Sequence, residues 1–325
     1  MKTLVTGGSG FVGSAVILEL VKRGQAVRAL VRSRARPGNL ADIDVELVEG
    51  DLLDGDSLKR AVQGCDKVYH VAAVYANWLT DMSIIAHANI QGTRNMLQAC
   101  FDCGARVVYT SSVAALGAHG KSPANENAQF NLASTGDQYY LSKYQAEQVA
   151  LEFAAKGLPI VIVNPTGPLG PRDIKPTPTG QLILDVLKGR LPGYVDGGLN
   201  FIDVEDLAVG HVLAMEKAKP GERYVMGNVN LALKEYFQLI AEIGGGRAPM
   251  LQIPAPFAIA TAYLYEAIAA ITKKPPLTTV SWVKVGSHYS FWDSSKAIRE
   301  LGLPQRPIRE SMRCEIEWFR EKGYL

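Results

Sequence analysis

The stretch Met1-Lys-Thr-Leu-Val-Thr6-Gly7-Gly8-Ser9-Gly10-Phe11-Val12-Gly13 runs from a short apolar strand into a glycine-rich turn and then into a helix. Gly7 allows a sharp bend, Gly10 lets the backbone approach a pyrophosphate, and Gly13 lets the helix pack against the strand. A pyrophosphate here would bind the unpaired N–H groups of the first helical turn. The order of strand, turn and helix around the G-x-x-G-x-x-G spacing predicts a dinucleotide-binding site. Its predicted cofactor contacts are Gly7, Ser9, Gly10, Phe11, Val12 and Gly13.

The length and charge of the chain restrict its class. A chain of 325 residues exceeds a single α/β nucleotide-binding unit, so we expect one such domain and a smaller added one. The formal net charge of +2 comes from interspersed acidic and basic residues and gives no reason to expect nucleic-acid binding. The first strand begins without the basic and apolar segments of a secretory signal, so a cytoplasmic enzyme is expected.

Strands and helices alternate through the first half of the chain, which is typical of stacked βαβ units. Helices are predicted to start near Phe11, Ser57, Met82 and Gln138. The predicted strands are 3–6, 27–31, 45–49, 67–71, 106–109 and 159–163. This pattern predicts an α/β fold with a Rossmann-type doubly wound parallel sheet.

A series of prolines after Asn164 interrupts regular structure and indicates a loop beside a site or a hinge. A further strand is expected at Arg223–Met226, so part of the later chain returns to the sheet. We therefore predict a nucleotide-binding domain at 1–165 with a return segment at 195–227. The mostly C-terminal substrate-binding domain would comprise 166–194 and 228–325.

Two other features have simple structural interpretations. Cys100 and Cys103 form a C-x-x-C pair at the end of a helical pattern, with no second pair or nearby histidine to complete a zinc site. We interpret them as buried helix cysteines and expect no metal. Segment 255–271 is rich in alanine, isoleucine and aromatic residues, but it contains Glu266 and is shorter than the roughly 20 residues that span a bilayer. We expect no transmembrane segment; the helix is interpreted as buried or facing a partner, with membrane surface contact left open.

The most specific chemical pattern is Tyr139 followed by Lys143 on a predicted helix, with Ser112 just after the preceding strand. Residues four apart share one helical face, so the ammonium is expected beside the phenol. A nearby cation lowers the pKa of a tyrosine and allows it to exchange a proton with a substrate hydroxyl or carbonyl. Ser112 would hold the same substrate oxygen by a hydrogen bond.

Six motifs together resemble those of the extended short-chain dehydrogenases/reductases. They are Thr6-Gly7-x-x-Gly10-x-x-Gly13, Asp51-Leu52, His70-Val71-Ala72-Ala73, Asn89-x-x-Gly92-Thr93, Thr110-Ser111-Ser112 and Tyr139-x-x-x-Lys143. Within that superfamily, the segments 163–171, 172–180 and 318–325 resemble hopanoid-associated sugar epimerases, which are relatives of dihydroflavonol 4-reductase-like proteins.

The resemblance implies roles for individual residues. Tyr139 would be the acid/base, Lys143 would orient it and bind the nicotinamide ribose, and Ser112 would position the reacting oxygen. Asn89 would belong to a proton relay or would simply hydrogen-bond backbone. The remaining implied cofactor contacts are Asp51, Leu52, Val71, Ala72, Ala73, Thr110, Ser111, Pro165 and Thr166.

The end of the second strand indicates the cofactor. Enzymes that prefer NAD place a carboxylate there to bind the ribose 2′-hydroxyl, whereas a 2′-phosphate requires arginine. Here the strand ends in Val31-Arg32-Ser33-Arg34-Ala35-Arg36. NADP(H) is therefore the expected cofactor, with NAD(H) as the alternative and a solvated basic loop as the non-functional interpretation.

Three functions remain open at this point. The first is an NADP-dependent oxidoreductase that acts on a small-molecule carbonyl or alcohol. The second is a sugar or nucleotide-sugar epimerase that retains its cofactor, although Tyr140 replaces the glycine that such enzymes usually carry after the tyrosine. The third is a non-catalytic nucleotide-sensing protein, which the retained Tyr139, Lys143 and Ser112 disfavour.

The substrate side and the oligomeric state rest on weaker signals. Tyr75, Trp78 and Arg172 lie in loops expected above the carboxyl ends of the strands, where they would face a substrate or pack the second domain. The family resemblance further implies a homodimer formed through helices at 82–100 and 138–153.

Overall fold

The computed structural model describes residues 2–75, 82–272 and 276–325. The strands are β1 (Lys2–Thr6), β2 (Ala26–Val31), β3 (Glu46–Glu49), β4 (Lys67–His70), β5 (Arg106–Thr110), β6 (Gly120–Ala124), β7 (Ile160–Pro165), β8 (Gly167–Leu169), β9 (Gly198–Asp203), β10 (Arg223–Met226), β11 (Val229–Ala232) and β12 (Tyr289–Trp292). The helices are α1 (Phe11–Lys22), α2 (Gly55–Val62), α3 (Ser83–Cys103), α4 (Gln138–Ala155), α5 (Pro178–Leu187), α6 (Val204–Lys217), α7 (Leu233–Gly244), α8 (Ala255–Thr272), α9 (Val280–Gly286), α10 (Ser295–Leu301) and α11 (Ile308–Glu321).

The larger sheet has seven strands in the order β10-β7-β5-β4-β1-β2-β3, and every neighbouring pair is parallel. Each strand predicted in the first half of the chain is present, with small shifts at its ends. Helices cover both faces. Leu4 joins the core that includes residues of α2, α3 and α4, whereas the next residue, Val5, joins the core that includes residues of α1 and α6. The doubly wound parallel sheet is confirmed.

The strand order reverses at β1, which has β2 on one side and β4 on the other. At such a switch point the connections leave the two carboxyl ends in opposite directions and open a crevice where ligands bind. The glycine-rich turn that follows β1 lies at this crevice. The topology therefore places the predicted dinucleotide site where an open α/β sheet can accept a ligand.

A second sheet has the order β11-β9-β12-β6, and β8 pairs with β9 outside that path. Buried residues of α5, α7 and α11 pack with Leu169 of β8 and Phe201 of β9 in a separate hydrophobic core. The predicted return segment 195–227 is divided: β9 belongs to the second sheet, and α6 and β10 lead back to the first. The assignment of 1–165 as nucleotide-binding and of 166–194 with 228–325 as substrate-binding stays a prediction.

Helix α8 differs most from its sequence interpretation. It forms as a helix, but only Ala258, Ala262 and Ala269 are buried in it. Of the two expected alternatives, the structure contradicts a buried helix, and a helix that faces a partner stays a prediction. Most of its large side chains are exposed, whereas the alanines and the partly buried Ile259 pack inward. By length and composition it is the one helix among the described residues that passes the test for a membrane span.

Candidate active site

The glycine turn is built by close backbone contacts. Gly7 has φ +73°, and a Cβ there would lie 2.8 Å from the backbone of Ala72. A Cβ on Gly13 would lie 2.2 Å from the carbonyl oxygen of Gly7. Both are shorter than any side chain tolerates, so only glycine allows α1 and the loop after β4 to approach the turn this closely.

The first turn of α1 fits a pyrophosphate. Gly10 is the N-cap and supplies no side-chain acceptor, and no acidic residue occupies the first turn. The first N–H groups of a helix have no partner within the helix, and the helix dipole makes this end positive. Phe11, Val12 and Gly13 thus present donors of the kind that bind a dinucleotide pyrophosphate.

A buried hydrogen-bond network fixes the loop after β4 beside this turn. The Thr6 hydroxyl lies 2.8 Å from His70 Nδ1 and accepts the Ala72 N–H at 3.1 Å, while His70 Nε2 lies 3.4 Å from the Thr93 hydroxyl. Burial lowers the pKa of His70 to about 3, so the ring is neutral. The network holds Val71 to Ala73 where they can line a cofactor.

Asn89 is used to anchor backbone. Its Oδ1 accepts the Val74 N–H at 2.7 Å, and its Nδ2 donates to the Val74 carbonyl at 3.0 Å and to the Ser142 hydroxyl at 3.0 Å. Both amide hydrogens are therefore committed within the protein. Of the two roles expected for Asn89, this geometry favours the backbone contact and leaves no donor for a proton relay.

Tyr139 lies at the start of α4, where the Asp137 carboxylate caps the helix by accepting the Tyr139 N–H at 2.9 Å. Its ring stacks on Tyr75 with 4.1 Å between centroids. Burial raises the pKa of Tyr139 to about 12, and the nearby Ser112 side chain partly opposes this rise. The phenol is thus protonated at neutral pH, and the expectation of a pKa lowered by Lys143 is wrong for this structure.

Lys143 is buried one turn further along α4. Its Nζ donates to the Thr110 carbonyl oxygen at 2.9 Å, at the end of β5. Burial lowers the pKa of Lys143 to about 8, and the negative charge of Glu147 opposes that change. The ammonium is therefore directed toward the strand end that carries Ser112.

A buried carboxylate behind Lys143 was not identified from the sequence. Glu147 is 1% exposed, and it accepts from Arg223 Nη1 at 3.0 Å and from Asn164 Nδ2 at 2.6 Å. Asn164 Nδ2 also donates to the Ser112 carbonyl at 3.1 Å. The one sequence signal for Glu147 is its position four residues after Lys143, which places both charges on the same face of α4. We name these three residues, Glu147, Asn164 and Arg223, the Glu147 network.

The other predicted cofactor residues occupy neighbouring strand ends. Arg32 follows β2 and is exposed, and Asp51 is exposed after β3 with Leu52 beside it. Thr110 bonds His211 at 2.9 Å through its hydroxyl, whereas the buried Ser111 hydroxyl has no partner among the described residues.

Beyond β7, the chain passes from the buried Pro165 to Thr166. The Thr166 hydroxyl donates to the Met226 carbonyl at 3.2 Å. This residue therefore joins β7 to β10 through its side chain.

The guanidinium of Arg172 is engaged in contacts within the protein. Its guanidinium pairs with the Asp42 carboxylate at 2.8 Å and donates to the Asn39 carbonyl at 3.0 Å. The Asn39 amide in turn donates to the carbonyl oxygens of Gly10 and Arg172. These contacts tie the loop after β8 to the glycine turn; we name them the Asn39 clasp.

Tyr75 and the cysteine pair complete the set of residues singled out from the sequence. Tyr75 is partly exposed and stacks on Tyr139, as described above, whereas Trp78 lies outside the described residues. Cys100 is buried but Cys103 is exposed at the end of α3, so the expectation that both are buried is wrong for Cys103. The described residues contain no group of three or more His, Cys, Asp or Glu side chains arranged for a metal.

The chain is similar in sequence to known proteins along nearly its whole length. Residues 3–227 match the NAD dependent epimerase/dehydratase family. A Synechocystis sp. protein with the provisional name dihydroflavonol 4-reductase is 42% identical over 99% of this chain and 95% of its own length. Sterol demethylase protein B of Methylococcus capsulatus is 31% identical over the whole of both chains.

A solved structure shares the same fold and some sequence. PA4631, described as a nucleoside-diphosphate-sugar epimerase from Pseudomonas aeruginosa, superposes with a TM-score of 0.81 and 28% identity over 100% of this chain and 99% of its own. The protein is thus an enzyme of the NAD dependent epimerase/dehydratase family, the extended short-chain dehydrogenases/reductases.

Proposed function

We propose that the protein is an NADP-dependent oxidoreductase that reduces a carbonyl group of a small-molecule substrate. The observation that carries the proposal is the Tyr139 phenol, which is buried beside the Ser112 side chain and is protonated at neutral pH. A protonated phenol can donate to a carbonyl oxygen, which is the proton that reduction requires. The bound nicotinamide would supply the hydride.

Four other residues would assist this proton transfer or position the substrate. Ser112 would hold the substrate oxygen within reach of Tyr139, and the Lys143 ammonium would stabilise the phenolate left after proton donation. Tyr75, stacked on Tyr139, would present its exposed edge to the substrate. The Asn89 contacts would keep the loop that carries Tyr75 in place.

The alternative is an epimerase that retains its cofactor, which the similarity to PA4631 favours. The two activities differ in cofactor turnover. Purified protein should be denatured to identify any released nucleotide and then assayed with NADPH and a panel of aldehydes and ketones. Substrate-dependent loss of NADPH supports reduction. Tightly retained cofactor, with no net consumption while a sugar changes configuration, contradicts the proposal.

The cofactor preference is tested at Arg32. Loss of one charge-assisted contact costs about 1.5–3 kcal/mol, so Arg32→Ser is expected to weaken NADPH binding by about 10-fold to 100-fold and to leave NADH binding nearly unchanged. Fluorescence titration of both nucleotides measures this. Arg36→Ser, in the same exposed loop, is the matched control and should have little effect. A wild-type preference for NADH would refute the assignment of NADP.

The pH dependence is tested through Lys143. Because burial lowers the pKa of Lys143 to about 8, the ammonium loses its proton as the pH rises through that value. The kcat for reduction should then decline above about pH 8, while it stays level below it. A profile measured with saturating NADPH that remains flat well above this pH would show that the charge on Lys143 does not assist the reaction.

The homodimer through α3 and α4 stays a prediction, and light scattering of the purified protein would test it.

A further inference from the structure

The outward side of α8 is a mostly apolar surface that also exposes Thr261. Phe257, Leu264 and Ile271 recur every second turn of this helix and are 70%, 60% and 83% exposed. Tyr263 and Ile268 lie between them and are also exposed, and Met250 and Leu251 precede the helix with 94% and 63% exposure. We name these seven residues the α8 surface. An exposed apolar patch of this extent marks a binding surface.

The inner side of α8 fixes the helix to the protein. Ala258 and Ala262 pack in one small core with Val280 and Val283 of α9. The helix carries one charged residue, Glu266, and its carboxylate accepts the Val280 N–H at 2.7 Å. The only charged side chain of the helix therefore points toward α9. This contact holds α8 along the protein surface and disfavours its crossing a bilayer by itself.

A helix that is apolar on all sides is stable only when every side is covered by protein or lipid. At about 1.5 Å per residue, an 18-residue helix is roughly 27 Å long and about 10 Å wide. It would bury roughly 300 Å² against a second copy, well below the ~800 Å² per partner of a stable interface. The area of the α8 surface alone thus disfavours a second copy as the covering partner.

Charges next to the α8 surface favour an anionic partner. A backbone hydrogen bond from Tyr194 N–H to the Leu251 carbonyl at 2.9 Å brings the chain after α5 against the entry to α8. That chain carries Lys188 and Arg190, and Arg247 precedes Met250; all three are exposed. Of these, Arg190 is partly balanced by Asp185 at 3.6 Å. Basic side chains beside an apolar helix are the arrangement that anionic lipid headgroups attract.

We propose that the α8 surface docks on the surface of a bilayer that contains anionic lipid. Phe257, Leu264 and Ile271 enter the boundary between headgroups and acyl chains, and Lys188 and Arg247 contact the headgroups. The protein is then peripheral, with α8 parallel to the membrane.

The test is sedimentation of the full-length protein with vesicles of phosphatidylcholine alone or mixed with phosphatidylglycerol. Wild-type protein is expected to bind the mixed vesicles more strongly. Phe257→Ser/Leu264→Ser/Ile271→Ser should lower the partition coefficient at least roughly 100-fold. The matched control, Val21→Ser/Phe101→Ser/Ile298→Ser, removes exposed apolar side chains on other helices and should bind like wild type.

Two further measurements keep the result interpretable. Thermal melting shows whether each triple variant is folded, and a polarity-sensitive dye on Leu264→Cys should shift to shorter wavelength with mixed vesicles if the helix enters lipid. No binding by wild-type protein, equal binding by the α8 variant, or no dye shift overturns the proposal. A wild-type dimer in light scattering that the α8 variant loses would show that a second copy covers this surface, which also overturns it.

Discussion

The Tyr139→Phe variant is expected to lose about 10²-fold to 10⁴-fold of kcat for carbonyl reduction, because it removes the proton donor and keeps the ring. The stacking of Tyr139 on Tyr75 needs only the aromatic face, so substrate and NADPH affinity should change little. Steady-state kinetics and NADPH titration of the same preparation separate the two quantities. The expected pattern is a loss in kcat with KM nearly unchanged.

The neighbouring tyrosine supplies the control for this prediction. Tyr140 lies edge-on to Tyr139, with 6.0 Å between ring centroids, but it has no lysine four residues later. Tyr140→Phe should therefore retain most of the activity. If both variants were equally active, proton donation by Tyr139 would be refuted. If Tyr140→Phe alone were inactive, the proton donor would have to be reassigned to Tyr140.

The second large effect is expected at Glu147. Glu147→Leu should lower the free energy of unfolding by about 3 kcal/mol, because breaking a buried ion pair leaves its partner charge without compensation. Arg223 is only 24% exposed in its side chain and would lose its carboxylate. Urea denaturation measures the change. The activity should fall as well, since Asn164 of the Glu147 network also holds the Ser112 carbonyl.

Glu152 on the same helix is the matched control. It pairs with Arg94 at 3.0 Å, but its side chain is 49% exposed, so Glu152→Leu should cost no more than about 1 kcal/mol. The double variant Glu147→Leu/Arg223→Leu removes both charges and should recover part of the stability. Equal loss of unfolding free energy in the Glu147 and Glu152 variants would show that burial of the Glu147 network does not contribute to stability.

The parts of the fold that local sequence dictates were predictable. The turn from Gly7 to Gly13 is specified within one short stretch, because the bend and the contact between Gly13 and Gly7 are local, although Gly7 also meets the distant Ala72. The parallel strands were predictable for the same reason: their apolar runs are short and bounded by turns and helices. Sequence motifs also identified Ser112, Tyr139 and Lys143 as neighbours at the end of β5.

Other features depend on contacts between residues distant in sequence. Arg172 has a suitable position for a substrate contact, but Asp42, far earlier in the chain, takes its guanidinium. The pKa of Tyr139 could not be predicted from the spacing to Lys143, since burial is the main cause of its rise and Lys143 bonds the Thr110 carbonyl. The exposure of α8 is likewise a property of packing, because its composition alone is equally typical of a core helix.

The Asn39 clasp has a consequence for ligand binding. Because one amide group bonds the glycine turn and the loop after β8, displacement of either segment strains the same pair of hydrogen bonds. If a dinucleotide contacts one segment and a substrate the other, their binding is linked, and linkage is reciprocal: the factor by which the dinucleotide alters affinity for substrate equals the factor by which substrate alters affinity for the dinucleotide. Any such coupling would pass through the Asn39 amide, which bonds both segments.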